Sequence, residues 1–255
     1  MEGFHRQMDD VWFPDRAITF HQLMAVLTLL EEDWNVWQGS PTHRLQIALM
    51  AAALVIGYAA ALRGEEIPRA DLANLRKNWK EGLAHPTAPH VPIALIGRFK
   101  NEGGNKSHTV PLACQTSSGL PVKKWVERAI GLYELLGIVD GPLFRVQTKT
   151  SFRRAKVRDL DPRFHDLLKR VQYRWPHLLS PNLDPAAEFS LSRSLRRGAT
   201  TQARIVNIPE EIITANNRWR IEDNAKGKTP SWAMFDRYSD VSANAELLVK
   251  FSILL

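Results

Sequence analysis

A single cysteine, Cys114, leaves this 255-residue chain without any intrachain disulfide framework, a thiol usage that fits a reducing compartment. The eight histidines are scattered, and none stands at a metal-ligand spacing such as HExxH; the sequence predicts no metal site and no cofactor. The opening stretch, MEGFHRQMDDVWF, is acidic and aromatic and lacks the basic and apolar regions of a signal peptide. Long hydrophobic runs are also scarce. The longest, IALMAAALVIGYAAAL (47–62), has 16 residues and meets Arg63-Gly64-Glu65-Glu66 at once. That is short for a membrane span and reads as a buried core helix. Internal repeats and low-complexity tracts are missing, and tyrosines number only four.

What is there in excess is positive charge. Lys and Arg total 34 against 27 Asp and Glu, for a net charge of +7 and a pI near 9.7. Such a balance favours polyanionic partners, either nucleic acid or an anionic membrane face. With 44% hydrophobic residues, the length suffices for one large core with a small appendage.

Periodicity predicts a mainly α-helical α+β domain after an irregular lead-in at 1–16. Helices are expected over 17–37, 43–63, 120–137, 161–175, 193–206 and 208–217, with helical or turn character at 66–80. Gly137 serves as a helix stop. Residues 91–113 form two β-rich runs around NEGGN, a hairpin with a long basic tip. Residues 145–174 carry ten Lys or Arg against three Asp. PHLLSPNLDPAAEF (176–189) is a proline-broken loop, and IEDNAKGKTP (221–230) a polar insertion. SWAMFDRYSD begins a final helix, and ANAELLVKFSILL ends the chain with an apolar stripe.

Three places invite chemistry. SRSLRRGATTQ (192–202) packs Arg193, Arg196 and Arg197 into a helix start, the end that disfavours cations and attracts anions. Arg63 follows a buried run, with Glu66 three residues on to orient its guanidinium. Lys100, at the end of the first hairpin strand, stands beside the glycine tip and can reach into a groove, with Arg98 before it and Lys106 beyond.

In order and spacing these stretches resemble the catalytic domain of tyrosine recombinases, the phage-integrase-like site-specific DNA recombinases. ALRGEEI resembles the first-arginine motif, and LIGRFKNEGGNKSHTVPL the hairpin of the catalytic lysine. RSLRRGATT is similar to the box holding a histidine, two spacers and the second arginine. NIPEEIITANNRWR resembles the following helix, which ends at a histidine or tryptophan, and AMFDRYSD the nucleophile helix. The resemblance covers residues 17–245.

The resemblance implies an α+β recombinase fold over 17–255, without an N-terminal core-binding domain. Arg63 and Arg196 would clamp the scissile phosphate through bidentate guanidinium contacts. Lys100, with Lys106 as runner-up, would protonate the leaving 5′ oxygen. Trp219 would donate its indole N–H to the phosphate, and Tyr238 would be the nucleophile. Arg98, Lys106, Arg153, Arg154, Lys156, Arg197 and Arg218 would contact DNA, giving affinity and salt sensitivity. The reaction is strand cleavage and rejoining through a 3′-phosphotyrosine, serving recombination or integration without ATP, metal or other cofactor. The partners implied are double-stranded DNA and further copies of the chain, joined through the C-terminal helix as a dimer or tetramer, with no membrane.

Two departures stand out. Arg193 occupies the usual histidine position, and an arginine cannot act as a base near neutral pH. Trp219 and Tyr238 lie 19 residues apart, farther than the family pattern, with 221–230 as the excess. These features fit a mobile-element recombinase of the eukaryotic crypton type, nuclear in a eukaryote and otherwise cytoplasmic. The alternatives are a weakened or inactive DNA-binding derivative of the same fold and a type IB topoisomerase-like DNA-relaxing enzyme.

Overall fold

Thr19 opens the first helix with a reciprocal cap: its hydroxyl accepts from the Gln22 N–H at 3.2 Å, and the Gln22 side chain accepts from the Thr19 N–H at 3.0 Å. The computed structural model describes residues 16–83, 90–96, 108–148, 151–217 and 251–255. In chain order, α1 is Phe20–Val36 and α2 is Pro41–Ala59; after the 3₁₀ turn Ile67–Arg69 comes α3, Leu72–Leu83. The strands β1 (His90–Leu95) and β2 (His108–Ala113) precede α4 (Val122–Leu135). A second pair, β3 (Arg145–Gln147) and β4 (Phe152–Arg154), leads into α5 (Val157–Arg174). The short α6 (Pro185–Glu188), α7 (Ser194–Ile205) and α8 (Glu210–Asn217) follow, and residues 251–254 are again helical. The protein is mixed α+β and mainly helical, as its periodicity predicts.

The apolar run becomes the central helix. Every residue from Ile47 to Leu62 is buried, because α1, α4 and α7 all pack around α2. An all-round apolar helix needs such a jacket, and a membrane is not required to supply it. Helix α1 is held by its acidic end. Glu31, Glu32 and Asp33 are consecutive, so they project in different directions from the helix. Glu31 takes a bidentate contact from Arg128 of α4 at 2.6 and 2.8 Å and an ion pair from Lys124. Asp33 and Glu32 take Arg170 and Arg174 of α5. The Arg128 hydrogen bond holds the Glu31 carboxyl below its ordinary range. The same guanidinium stacks over Trp34 and Trp125, 4.4 and 4.7 Å from their ring centres.

Three helices end in one way. After α2, α4 and α7, the residues Ala61, Gly137 and Asn207 take positive φ (45°, 69° and 57°). Each time the next N–H reaches back five residues: Leu62 to Gly57, Ile138 to Tyr133, Ile208 to Ala203. This is the Schellman closure. It stops α2 at Ala59, four residues before the predicted end, so Arg63 lies in a turn outside the helix.

The first hairpin pairs antiparallel from His90↔Ala113 to Leu95↔His108. Asn74 and Asn78 of α3 fasten it, accepting from the Ala94 N–H at 2.9 Å and donating to the Pro92 carbonyl at 3.1 Å. The second hairpin, Arg145↔Arg154 to Gln147↔Phe152, corrects the expectation of one hairpin. It occupies the basic segment, whose charge pattern masked its strand character.

Candidate functional site

Two chain segments far apart in sequence meet at the start of α7. In the turn after α2, the Glu66 carboxylate accepts the Arg63 backbone N–H at 2.8 Å and lies 4.0 Å from its guanidinium. Glu66 is only 4% exposed, while the Arg63 side chain is half-exposed. Glu66 therefore shapes the turn first and faces the guanidinium second. The next residue, Gly64, donates its N–H to the Ser192 carbonyl at 3.2 Å. A Cβ on Gly64 would sit 2.6 Å from Leu191 O and Ser192 Cα, so only glycine permits this approach. The bond places Arg63 and Arg193 on adjoining residues of the two segments.

The α7 entry is itself pinned. His165 contacts the Phe189 carbonyl at 2.7 Å through Nε2, Asp161 accepts the Leu191 N–H at 2.8 Å, and Ser194 Oγ accepts the Ser190 N–H at 3.0 Å. Arg193 occupies the cap position, with no cap hydrogen bond from its side chain. Arg193 and Arg197 are exposed, one turn apart on the same face. Leu195, Gly198 and Ala199 turn inward, and a Cβ on Gly198 would lie 2.0 Å from Ile18 O. Four arginines thus belong to the segments joined here, at a helix N-terminus whose backbone dipole also favours an anion.

Arg196 differs from its neighbours in being 8% exposed. Its Nε donates to Asn217 Oδ1 at 2.9 Å. Asn217, fully buried, donates from Nδ2 to the Ile213 carbonyl at 2.9 Å and to Thr200 Oγ1 at 3.2 Å. Sequence reasoning missed Asn217. The signal was an asparagine pair ending a predicted helix, where propensity alone would favour a cap.

Neither protein-family models nor curated proteins match this chain.

The basic segment divides into two groups. Arg145 is buried, donating to the Pro142 and Asp140 carbonyls and lying 4.8 Å over the Tyr133 ring. Arg153 grips Asp159 in two hydrogen bonds of 2.7 and 2.8 Å, and this contact holds the Asp159 carboxyl down to about 2. With Arg170 and Arg174 paired to α1, much of the charge here holds the fold together. Arg154 and Lys156 are exposed.

The three tyrosines among the described residues sort by burial. Tyr58 and Tyr133 are fully buried, and burial pushes both hydroxyls above their ordinary range, the wrong direction for a nucleophile. Tyr173 of α5 is 91% exposed. Tyr238 lies outside the described residues, as do Lys100, Trp219, Arg98, Lys106 and Arg218. Among the described residues no His, Cys, Asp and Glu cluster could hold a metal ion. Residues 251–255 pack on their own chain: Phe251 and Leu255 are buried, and Ser252 Oγ accepts the Ala113 N–H at 3.1 Å.

Proposed function

We propose that this protein cleaves and rejoins DNA strands as a tyrosine recombinase, with the fold of that catalytic domain. The observation that carries this reading is the docking of the Arg63 turn on the start of α7. Two arginine motifs 133 residues apart in sequence are joined by the Gly64–Ser192 hydrogen bond. Arg63 and Arg196 bind the non-bridging oxygens of a phosphodiester, supplying fixed charge where the transition state gains it. Tyr238 gives up its phenol proton to solvent and attacks the phosphorus, forming the O–P bond of a 3′-phosphotyrosine as the bond to the 5′ oxygen breaks. Lys100 donates a proton to the departing 5′ oxygen. A 5′-hydroxyl then attacks the phosphotyrosine, restoring the phosphodiester and releasing the phenol, so the bond count is conserved without an external energy source. Trp219 donates to the phosphate, while Arg98, Lys106, Arg154, Lys156, Arg197 and Arg218 follow the DNA backbone, and further copies of the chain assemble on the same DNA.

The test uses a pool of nicked duplexes of randomised sequence, in which cleavage frees a short 5′-hydroxyl strand and traps the covalent complex. Denaturing electrophoresis should show a protein–DNA adduct that Tyr238→Phe abolishes and Tyr173→Phe leaves intact. An adduct surviving Tyr238→Phe would overturn the nucleophile assignment.

Arg193 supports a second reading, a DNA-binding derivative that does not cleave. An arginine here cannot take the tyrosine proton near neutral pH. Salt-dependent duplex binding with no adduct from any member of the pool is its signature.

A further inference from the structure

We infer that Asn217 is a positioning residue that aims the Arg196 guanidinium at the bound phosphate while leaving its charge intact; this rests on the phosphate-clamp reading of Arg196. The hydrogen bonds orient the amide without ambiguity. Ile213 offers a carbonyl oxygen, which can only accept, so the nitrogen of the Asn217 amide must face it at 2.9 Å. The amide oxygen is then turned toward Arg196, whose Nε reaches it at 2.9 Å. Thr200, one turn beyond Arg196 on α7, closes the far side, its hydroxyl 3.2 Å from the amide nitrogen and 3.4 Å from the oxygen. The whole cluster is buried, with Asn217 at 0% and Thr200 at 7% exposed.

The chemistry of the acceptor matters. Holding Nε fixes the plane of the guanidinium and with it the two terminal nitrogens, both buried in this structure, which are the pair used for bidentate phosphate contact. A neutral amide does this without forming an ion pair. A carboxylate in its place would neutralise the arginine and compete with the phosphate. Asn217 also ends α8 and immediately precedes Arg218 and Trp219. The residue that orients one phosphate ligand is therefore two residues from the next proposed one in sequence.

The experiment compares Asn217→Ala, the near-isosteric Asn217→Asp and wild type in three readouts: bulk duplex affinity, single-turnover adduct formation and exchange of the Arg196 Nε–H by nitrogen-15 NMR, assigned through Arg196→Lys. Wild type should show a slowly exchanging Nε–H. Asn217→Ala should lose that protection, keep duplex affinity within about threefold because other phosphate contacts remain, and lose about 100-fold in adduct rate, the scale of a misaligned reacting group. Asn217→Asp should keep the protection yet lose at least as much rate. A rapidly exchanging Nε–H in wild type would overturn the inference whatever the variants do. So would wild-type adduct rates in both variants. If wild type forms no adduct at all, the cleavage reading falls by itself, and the NMR comparison still decides whether Asn217 holds Arg196.

Discussion

Gly64 and Ser192 share a backbone hydrogen bond of 3.2 Å that lays the Arg63 turn against the start of α7. The added methyl of Gly64→Ala would meet backbone atoms at 2.6 Å, which cannot rotate away as a side chain can. Urea unfolding should show a loss of about 1–3 kcal/mol, the usual cost of overpacking. Adduct formation should fall with it, because the two arginine segments separate. An unchanged unfolding midpoint would mean that the turn yields freely.

Gly198 and Gly131 make a matched pair. Gly198→Ala drives a Cβ to within 2.0 Å of the Ile18 carbonyl oxygen, and should cost about 3 kcal/mol or more by overpacking α7 against the chain before α1. Gly131 lies exposed within α4 with nothing near its missing Cβ. Gly131→Ala should stabilise by about 0.4–1 kcal/mol through the entropy of the unfolded chain. Thermal melts of the two variants should move in opposite directions.

Tyr58 is buried, and among the described residues its hydroxyl has no hydrogen-bond partner. Replacing it by Phe removes an unsatisfied polar atom without a cavity, so the protein should gain about 1 kcal/mol. The same variant should form the DNA adduct at the wild-type rate. Loss of stability in Tyr58→Phe would show that the hydroxyl is satisfied in solution.

Arg153 and Arg154 should behave differently on DNA. Both are exposed, but the first is held by Asp159 in two hydrogen bonds. Arg154→Ala should reduce the slope of log affinity against log salt by about 1, and Arg153→Ala should reduce it less. Equal slopes for the two would remove the ion pair from consideration.

Asp159 gives the same ion pair a pH signature. Its folded pKa, about 2, lies below the ordinary carboxylate value of 3.8. A depressed pKa contributes stability above the unfolded value, which is lost as pH falls through the folded one. The contribution should be complete above about pH 5 and fade between about pH 4 and 2. In Arg153→Ala the Asp159 carboxyl should titrate nearer its ordinary value by NMR.

Much of the fold was legible because periodicity records burial. The run 47–62 has no polar residue to expose and had to become an interior helix. Gly137 marked its helix end correctly because a positive φ is cheap only for glycine. Ala61 and Asn207 adopt the same conformation without that signal, which is why the predicted end of α2 came four residues late. The β3–β4 hairpin was hidden for a related reason: its strands are three residues each, too short for alternation to emerge from a basic background.

The sequence by itself determined the helical α+β class, the buried central helix, the positive balance and the order of the arginine motifs, since these follow from composition and local pattern. Only the tertiary structure decided which arginines serve the fold and which meet at a shared surface. Arg128, Arg145, Arg153, Arg170 and Arg174 look no different in sequence from Arg63 or Arg193. Their separation depends on partners that folding supplies: the distant acidic end of α1 for Arg128, Arg170 and Arg174, and nearer groups, the Asp140 and Pro142 carbonyls and Asp159, for Arg145 and Arg153. Arg196 and Asn217 likewise acquire their relationship only when α7 and α8 pack, because a hydrogen bond at 2.9 Å between residues 21 apart has no trace in local pattern.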